Sequence, residues 1–105
     1  MIAREWKCIC PADKILEFIP YLHSTGVKDA EKIPGFKGAE ILQRESAGSF
    51  EVVLITFWDS AESIAEFAGE DIEKAVLYPE DYIYGITSDL TVKHYSVAEL
   101  HFKKI

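Results

Sequence analysis

One short run near the middle of the chain constrains its fold more than any other feature. Residues 52–58 read Val-Val-Leu-Ile-Thr-Phe-Trp, and a run this rich in β-branched and aromatic residues predicts a strand. Successive side chains of a strand point to opposite faces of its sheet. One face therefore carries Val53, Ile55 and Phe57, and the other carries Val52, Leu54 and Trp58. Both faces are apolar, so the sheet needs a cover on both sides.

Hydrophobic periodicity and turn signals predict six main elements. Strands are predicted at Ile2 to Cys10, Gly38 to Glu45, Phe50 to Trp58 and Leu90 to Val97. Helices are predicted at Ala12 to Ser24 and from a cap at Asp59 or Ser60 to a stop at Gly69. The second and third strands are joined by Ser46-Ala47-Gly48-Ser49, which suits a hairpin turn.

The remaining segments are predicted from their prolines, glycines and caps. Pro20 should kink or divide the first helix, and Gly26 should end it. Residues 27–37 contain Pro34-Gly35 and are predicted to be a loop. Asp71 should cap a short helix through Val76, an irregular segment should begin at Tyr78, and residues 98–105 should form a tail.

The order β-α-β-β-α-β predicts an α+β fold of the ferredoxin-like type, with an antiparallel sheet and two helices on one face. A chain of 105 residues is one domain, spanning residues 1–105. Two helices on one face leave the other apolar face bare, which soluble monomers rarely tolerate. We expect a second copy of the chain to cover it, making a homodimer through the open sheet face. The alternative is that the tail folds over this face with its apolar residues, Leu100, Phe102 and Ile105.

Charge and composition exclude several classes of partner. Eleven Lys and Arg residues are scattered among eighteen Asp and Glu residues, giving a formal net charge of −7. This disfavours nucleic-acid binding and docking on an anionic membrane. No apolar run approaches the roughly 20 residues of a membrane span, and the charged N-terminal segment does not resemble a signal peptide. Cys8 and Cys10 are poorly placed to bond each other, so we expect a reduced, cytoplasmic protein. They also lack a second ligand pair at metal spacing, so we expect no metal site.

Several blocks of sequence carry a family resemblance. They are Ala3 to Trp6, Pro34 to Gly38, Phe57 to Ile64, Phe67 to Asp71, Tyr78 to Asp81 and Val92 to Val97. Together they resemble the antibiotic biosynthesis monooxygenase family over nearly the whole chain, most specifically from Trp58 to Asp81. The resemblance implies a dimeric α+β barrel with a pocket in each subunit between helices and sheet. It also implies oxidation of small aromatic phenols or hydroquinones with no metal or flavin cofactor.

Five residues are candidates for this site. Arg4, Trp6, Trp58 and Tyr82 are expected to bind a substrate, and His94 to act as a base toward it. Each has a structural alternative: an ion pair for Arg4, a core position for Trp58, a hydrogen-bonded role for His94, and packing on a partner for the tyrosine segment. Glu80 and Asp81 could act as a base or bind a metal, or one of them could cap a turn.

Three functions remain open at this point. The first is a cofactor-independent monooxygenase, and the second is a non-catalytic small-ligand-binding or stress-related dimer. The third is a haem-binding or haem-degrading relative, a branch that pairs a Trp at the end of the third strand with an Asn on the first strand. Trp58 matches that Trp, but the first strand offers Arg4 and Trp6 instead of the Asn.

Overall fold

The computed structural model describes residues 1–104, in which five antiparallel strands form one sheet. The strands are β1 (Ile2–Pro11), β2 (Phe36–Ser46), β3 (Ser49–Trp58), β4 (Thr87–Ser88) and β5 (Lys93–Ser96). Their order is β2-β3-β1-β4, and β5 also pairs with β1. Because β3 occupies one edge of β1 along its whole length, β4 and β5 share the other edge. The α+β class is confirmed, and the arrangement is compatible with a ferredoxin-like fold.

The helical connection after β1 is longer than predicted. A 3₁₀ turn (Ala12–Lys14) leads into α1 (Ile15–Leu22), a π turn (His23–Val27) and α2 (Lys28–Glu31). Pro20 does not divide α1, and the predicted stop at Gly26 is wrong. Gly26 is buried inside the π turn, where an added Cβ would lie 3.3 Å from Cδ2 of Leu54. The glycine therefore lets the helical backbone approach the sheet closely.

The β2–β3 hairpin and the second main helix confirm the prediction. Ala47 and Gly48 form the turn with φ of 52° and 80°, the left-handed geometry that suits a tight hairpin. The helix α3 (Ala61–Ala68) is capped by Ser60, whose hydroxyl accepts from the backbone N–H of Ser63. It ends at Gly69, which has a φ of 90°.

The short helix predicted after Asp71 is wrong. The Asp71 carboxylate accepts from the backbone N–H of Glu73, which makes a local turn. The segment then pairs with residues 90–92 through a bridge between Lys74 and Thr91. This pairing replaces the first part of the predicted last strand, whose remainder is β5.

The two faces of the sheet are covered differently. The helical connection and α3 bury one face, with two clusters of core side chains centred on Phe18 and on Trp58. On the other face, Val53, Ile55 and Phe57 are only half-buried. The alternative cover, in which the tail buries its apolar side chains on this face, is not seen for Leu100 and Phe102, which are 48% and 75% exposed. Ile105, the third apolar residue of the predicted tail, lies outside the described residues.

In residues 1–104, no helix is both long enough and apolar enough to cross a membrane.

Candidate functional site

A cavity lies on the covered side of the sheet, between the helical connection and the segment that follows α3. The sheet supplies its floor, and residues 76–81 supply part of its wall. Its lining is Arg4, Trp6, Phe18, Leu22, Thr25, Gly26, Leu54, Thr56, Phe67, Val76, Tyr78, Asp81 and Val92. Most of these side chains are apolar, which is typical of small-molecule sites with a few placed polar groups.

The cavity is open to solvent, and its inner space is small. The empty space is about 490 Å³ when the part open to solvent is counted. The centre of a water molecule can lie in only about 30 Å³ of it. That inner space has room for one or two water molecules. A ligand larger than this must displace side chains or the segment that forms the wall.

Arg4 is a buried cation beside the cavity. It is 4% exposed, and its Nη2 donates to the carbonyl oxygen of Lys74 at 2.8 Å, while Nη1 donates to that of Ile72. Its guanidinium carbon lies 5.9 Å from the ring centre of Phe67. Burial lowers the pKa of Arg4 to about 10, which still leaves it charged at neutral pH. Among residues 1–104 no carboxylate lies within the 4.0 Å of an ion pair, so the expected structural pair for Arg4 is absent there.

His94 is joined to Arg4 and does not line the cavity. Its Nε2 lies 3.1 Å from Nη1 of Arg4, and because guanidinium can only donate, this nitrogen accepts. Burial, and then the charge of Arg4, lower the pKa of His94, with a smaller opposing effect from Glu73. A ring that accepts at Nε2 is the neutral form with its proton on Nδ1. In this arrangement His94 orients Arg4, and its role as a base stays a prediction.

The other predicted site residues are dispersed. Trp6 lines the cavity, and its indole N–H donates to Oγ of Ser88 at 2.9 Å. Trp58 is fully buried in the other core cluster, packed edge-on against Phe36, and does not line the cavity. Tyr82 is 78% exposed and lies outside the lining. The structure thus brings Arg4 and Trp6 together at the cavity, with His94 behind Arg4.

A polar network that the sequence analysis did not identify holds one wall of the cavity. Oδ1 of Asp81 accepts from the hydroxyl of Tyr21 at 2.6 Å, and Oδ2 accepts from the backbone N–H of Tyr78 at 2.9 Å. The hydroxyl of Tyr78 donates to Asp29 at 2.8 Å. Burial and these carboxylates raise the pKa of both tyrosines. The network ties the wall to α1 and α2, and Asp81 acts there as an acceptor for a turn.

Cys8 and Cys10 are both free and buried on the covered face. Burial, reinforced by nearby negative groups, raises the pKa of the Cys8 thiol to about 12 and also raises that of Cys10. Neutral thiols are poor nucleophiles and poor metal ligands. No cluster of three or more His, Cys, Asp or Glu suited to a metal ion occurs in residues 1–104.

No model of a known protein family matches this sequence, and a search of curated proteins finds no match either. The site's chemistry therefore rests on its own geometry: an apolar cleft with one buried cation.

Proposed function

We propose that this protein binds a small organic molecule in the cavity beneath α1 and acts as a homodimer similar to the antibiotic biosynthesis monooxygenases. The observation that carries the proposal is the cavity itself, apolar around most of its lining and bordered by the buried guanidinium of Arg4. Polar groups that converge on an apolar cleft are the usual signature of a ligand site.

The open face of the sheet supports the dimer. Val53, Ile55 and Phe57 form a half-buried stripe along β3, and Leu42 on β2 is 47% exposed beside it. Covering several hundred Å² of such surface on each partner favours association at about 25 cal/mol per Å², before the entropic cost of binding. The cavity lies on the opposite side of the sheet, so pairing through the open face leaves its mouth accessible.

Matched substitutions in the cavity wall test the binding function. We expect phenol, followed by ¹H–¹⁵N NMR, to shift the indole signal of Trp6 and the amide signal of Gly26 in the wild type. Val76→Phe places a ring in the cavity, because Val76 lines it and is only half-buried. The control Leu77→Phe adds a ring at a neighbouring residue that is 45% exposed and outside the lining.

Phenol binding should be lost in Val76→Phe and kept in Leu77→Phe. A wild type whose cavity signals do not move at millimolar phenol would contradict the proposed function. So would a Val76→Phe protein that binds phenol as the wild type does.

Oxidation of a phenol or hydroquinone without metal or flavin is the second candidate, and one observation favours it. A cation at the cavity stabilises the substrate anion, which is the form that reacts with oxygen. Anthrone plus O₂ would then give the quinone plus water, with the substrate supplying all the electrons. Oxygen uptake with anthrone or hydroquinone tests this, and equal rates for wild type and His94→Ala would contradict a role for His94 as the base.

A further inference from the structure

We infer that the cavity selects organic monoanions, with a carboxylate or phenolate bound by Arg4 and a thin apolar body against α1. This inference rests on the binding function proposed above and specifies the charge and shape of the ligand.

The described groups in contact with the Arg4 guanidinium include no carboxylate. A buried ion is costly unless a partner of opposite charge offsets it. The described groups around the Arg4 guanidinium are two backbone carbonyls, the neutral His94 ring and the face of Phe67. All of them are uncharged, so no group in contact with the guanidinium offsets its charge. An anion in the cavity would contact it directly.

Arg4 also has N–H groups that its described contacts do not engage. Guanidinium has five N–H groups, and the contacts to Ile72, Lys74 and His94 engage three of them. Two remain, which is the number a carboxylate takes in a two-pronged pair. Thr56 lies nearby on the lining, and its hydroxyl oxygen accepts from the indole N–H of Trp58 at 2.8 Å. Accepting this bond leaves the hydroxyl hydrogen of Thr56 as a possible donor to a ligand.

Asp81, the acidic side chain of the lining, does not supply the counter-charge. Both of its carboxylate oxygens already accept hydrogen bonds, from Tyr21 and from the backbone of Tyr78. It also lies beyond ion-pair distance from Arg4. Its two oxygens hold the wall, and it makes no direct contact with Arg4.

The apolar part of the cavity lining specifies the rest of the ligand. The lining next to the polar groups is apolar, with Phe18, Leu22, Leu54 and Val92 among its members. The inner space is only about 30 Å³ for the centre of a water molecule, so any organic ligand must displace side chains or the wall, and a flat, single-ring body requires less displacement than a bulky one. The ligand class is therefore a small aromatic carboxylate or phenolate.

Benzoate and benzamide are matched probes for this inference, because they share ring and size and differ in charge. At pH 7 we expect wild-type protein to bind benzoate about 10- to 100-fold more tightly than benzamide, the effect of charge-assisted hydrogen bonds. Calorimetry gives the affinities, and the Trp6 and Gly26 NMR signals show that both probes enter the cavity.

Two substitutions on β1 locate the charge. Arg4→Met should bring benzoate down to the affinity of benzamide, and Arg4→Lys should fall between. Lys7→Met removes a cation from the same strand at the open face and should leave the ratio unchanged, since Lys7 does not line the cavity. If Arg4→Met fails to fold, the wild-type ratio and Arg4→Lys still decide.

Equal binding of benzoate and benzamide by the wild type would overturn this inference and leave the binding function standing. Preference for benzoate that persists in folded Arg4→Met would also overturn it. If neither probe nor phenol reaches the cavity signals, the binding function fails and the inference fails with it.

Discussion

The two faces of β3 carry similar side chains and meet different fates. Val52 and Trp58 on the covered face are 0% exposed, while their neighbours Val53 and Phe57 on the open face are half-buried. Hydrophobicity is thus not what separates the faces; the supply of helices from this chain is. Burial of the covered face stabilises the single chain, while the open face keeps apolar surface that association could bury.

The covered face also differs in kind, because within residues 1–104 it contains a charged side chain, Arg4, that is buried in the core. Arg4 lies among Trp6, Leu54 and Phe67 on the lining of the cavity. A well-packed apolar residue at this position would often be as stable or more so. We therefore interpret Arg4 as a residue that serves the proposed ligand binding at some cost in folding stability.

The largest effect is expected for truncation on the covered face. Trp58→Ala removes a fully buried ring and should lower the free energy of unfolding by about 3–5 kcal/mol. Phe57→Ala, on the open face, should lower the free energy of unfolding by about 1 kcal/mol at low protein concentration. The loss should grow as the concentration rises, because association would bury that ring further. Chemical denaturation at several concentrations distinguishes them. A concentration-independent cost for both would remove the distinction between the faces.

The next effect is expected on the open face. Ile55 on β3 lies opposite Glu5 on β1 and Glu40 on β2. The lysine of Ile55→Lys would therefore have two carboxylates as cross-strand neighbours within the single chain. In a dimer the same lysine would be buried between two sheets, and we expect the dissociation constant to rise at least about 100-fold. Leu16→Lys is the control, since Leu16 is 89% exposed on α1.

Analytical ultracentrifugation measures both variants. The control should associate as the wild type does. An Ile55→Lys protein with unchanged association would show that the partner does not use this face.

The smallest effect is expected from pH, through the contact between His94 and Arg4. The pKa of His94 is lowered in the folded chain, so below about pH 6.5 the unfolded chain binds more protons at this group than the folded chain does. Folding stability from this group is complete above that pH and decreases toward the lower folded pKa. His94→Gln should flatten this part of the stability profile. A wild-type stability that rises on acidification through this range, and does so because of His94, would contradict the geometry.

The first three strands and the hairpin could be predicted because their signals are local. The β-branched and aromatic run of residues 52–58 and the turn residues Ala47 and Gly48 indicate the hairpin without reference to the rest of the chain. The loop predicted over residues 27–37 is wrong for α2 (Lys28–Glu31), because the turn signal of Pro34-Gly35 does not extend back to residue 27. Burial of Val27 and Ala30, together with the Lys28–Glu31 pair at 3.6 Å, favours helix there.

The site was predictable only in part, for a physical reason. Arg4 and Trp6 share a strand face, so their proximity follows from the two-residue period. The contact between Tyr21 and Asp81 joins residues 60 apart in sequence, and no local pattern indicates it. Tyr78 and Tyr82 stand in an irregular segment without periodicity, so the sequence could not show that Tyr78 lines the cavity while Tyr82 faces solvent.

Light scattering at dilute, near-neutral conditions measures the mass of the native protein and decides whether a second copy covers the open face. If a second copy covers the open face, the scattering mass will be twice the 11.9 kDa of one chain. A stable, unaggregated species at 11.9 kDa would show that the apolar stripe of β3 needs no second cover, and the comparison between the two faces would lose its basis.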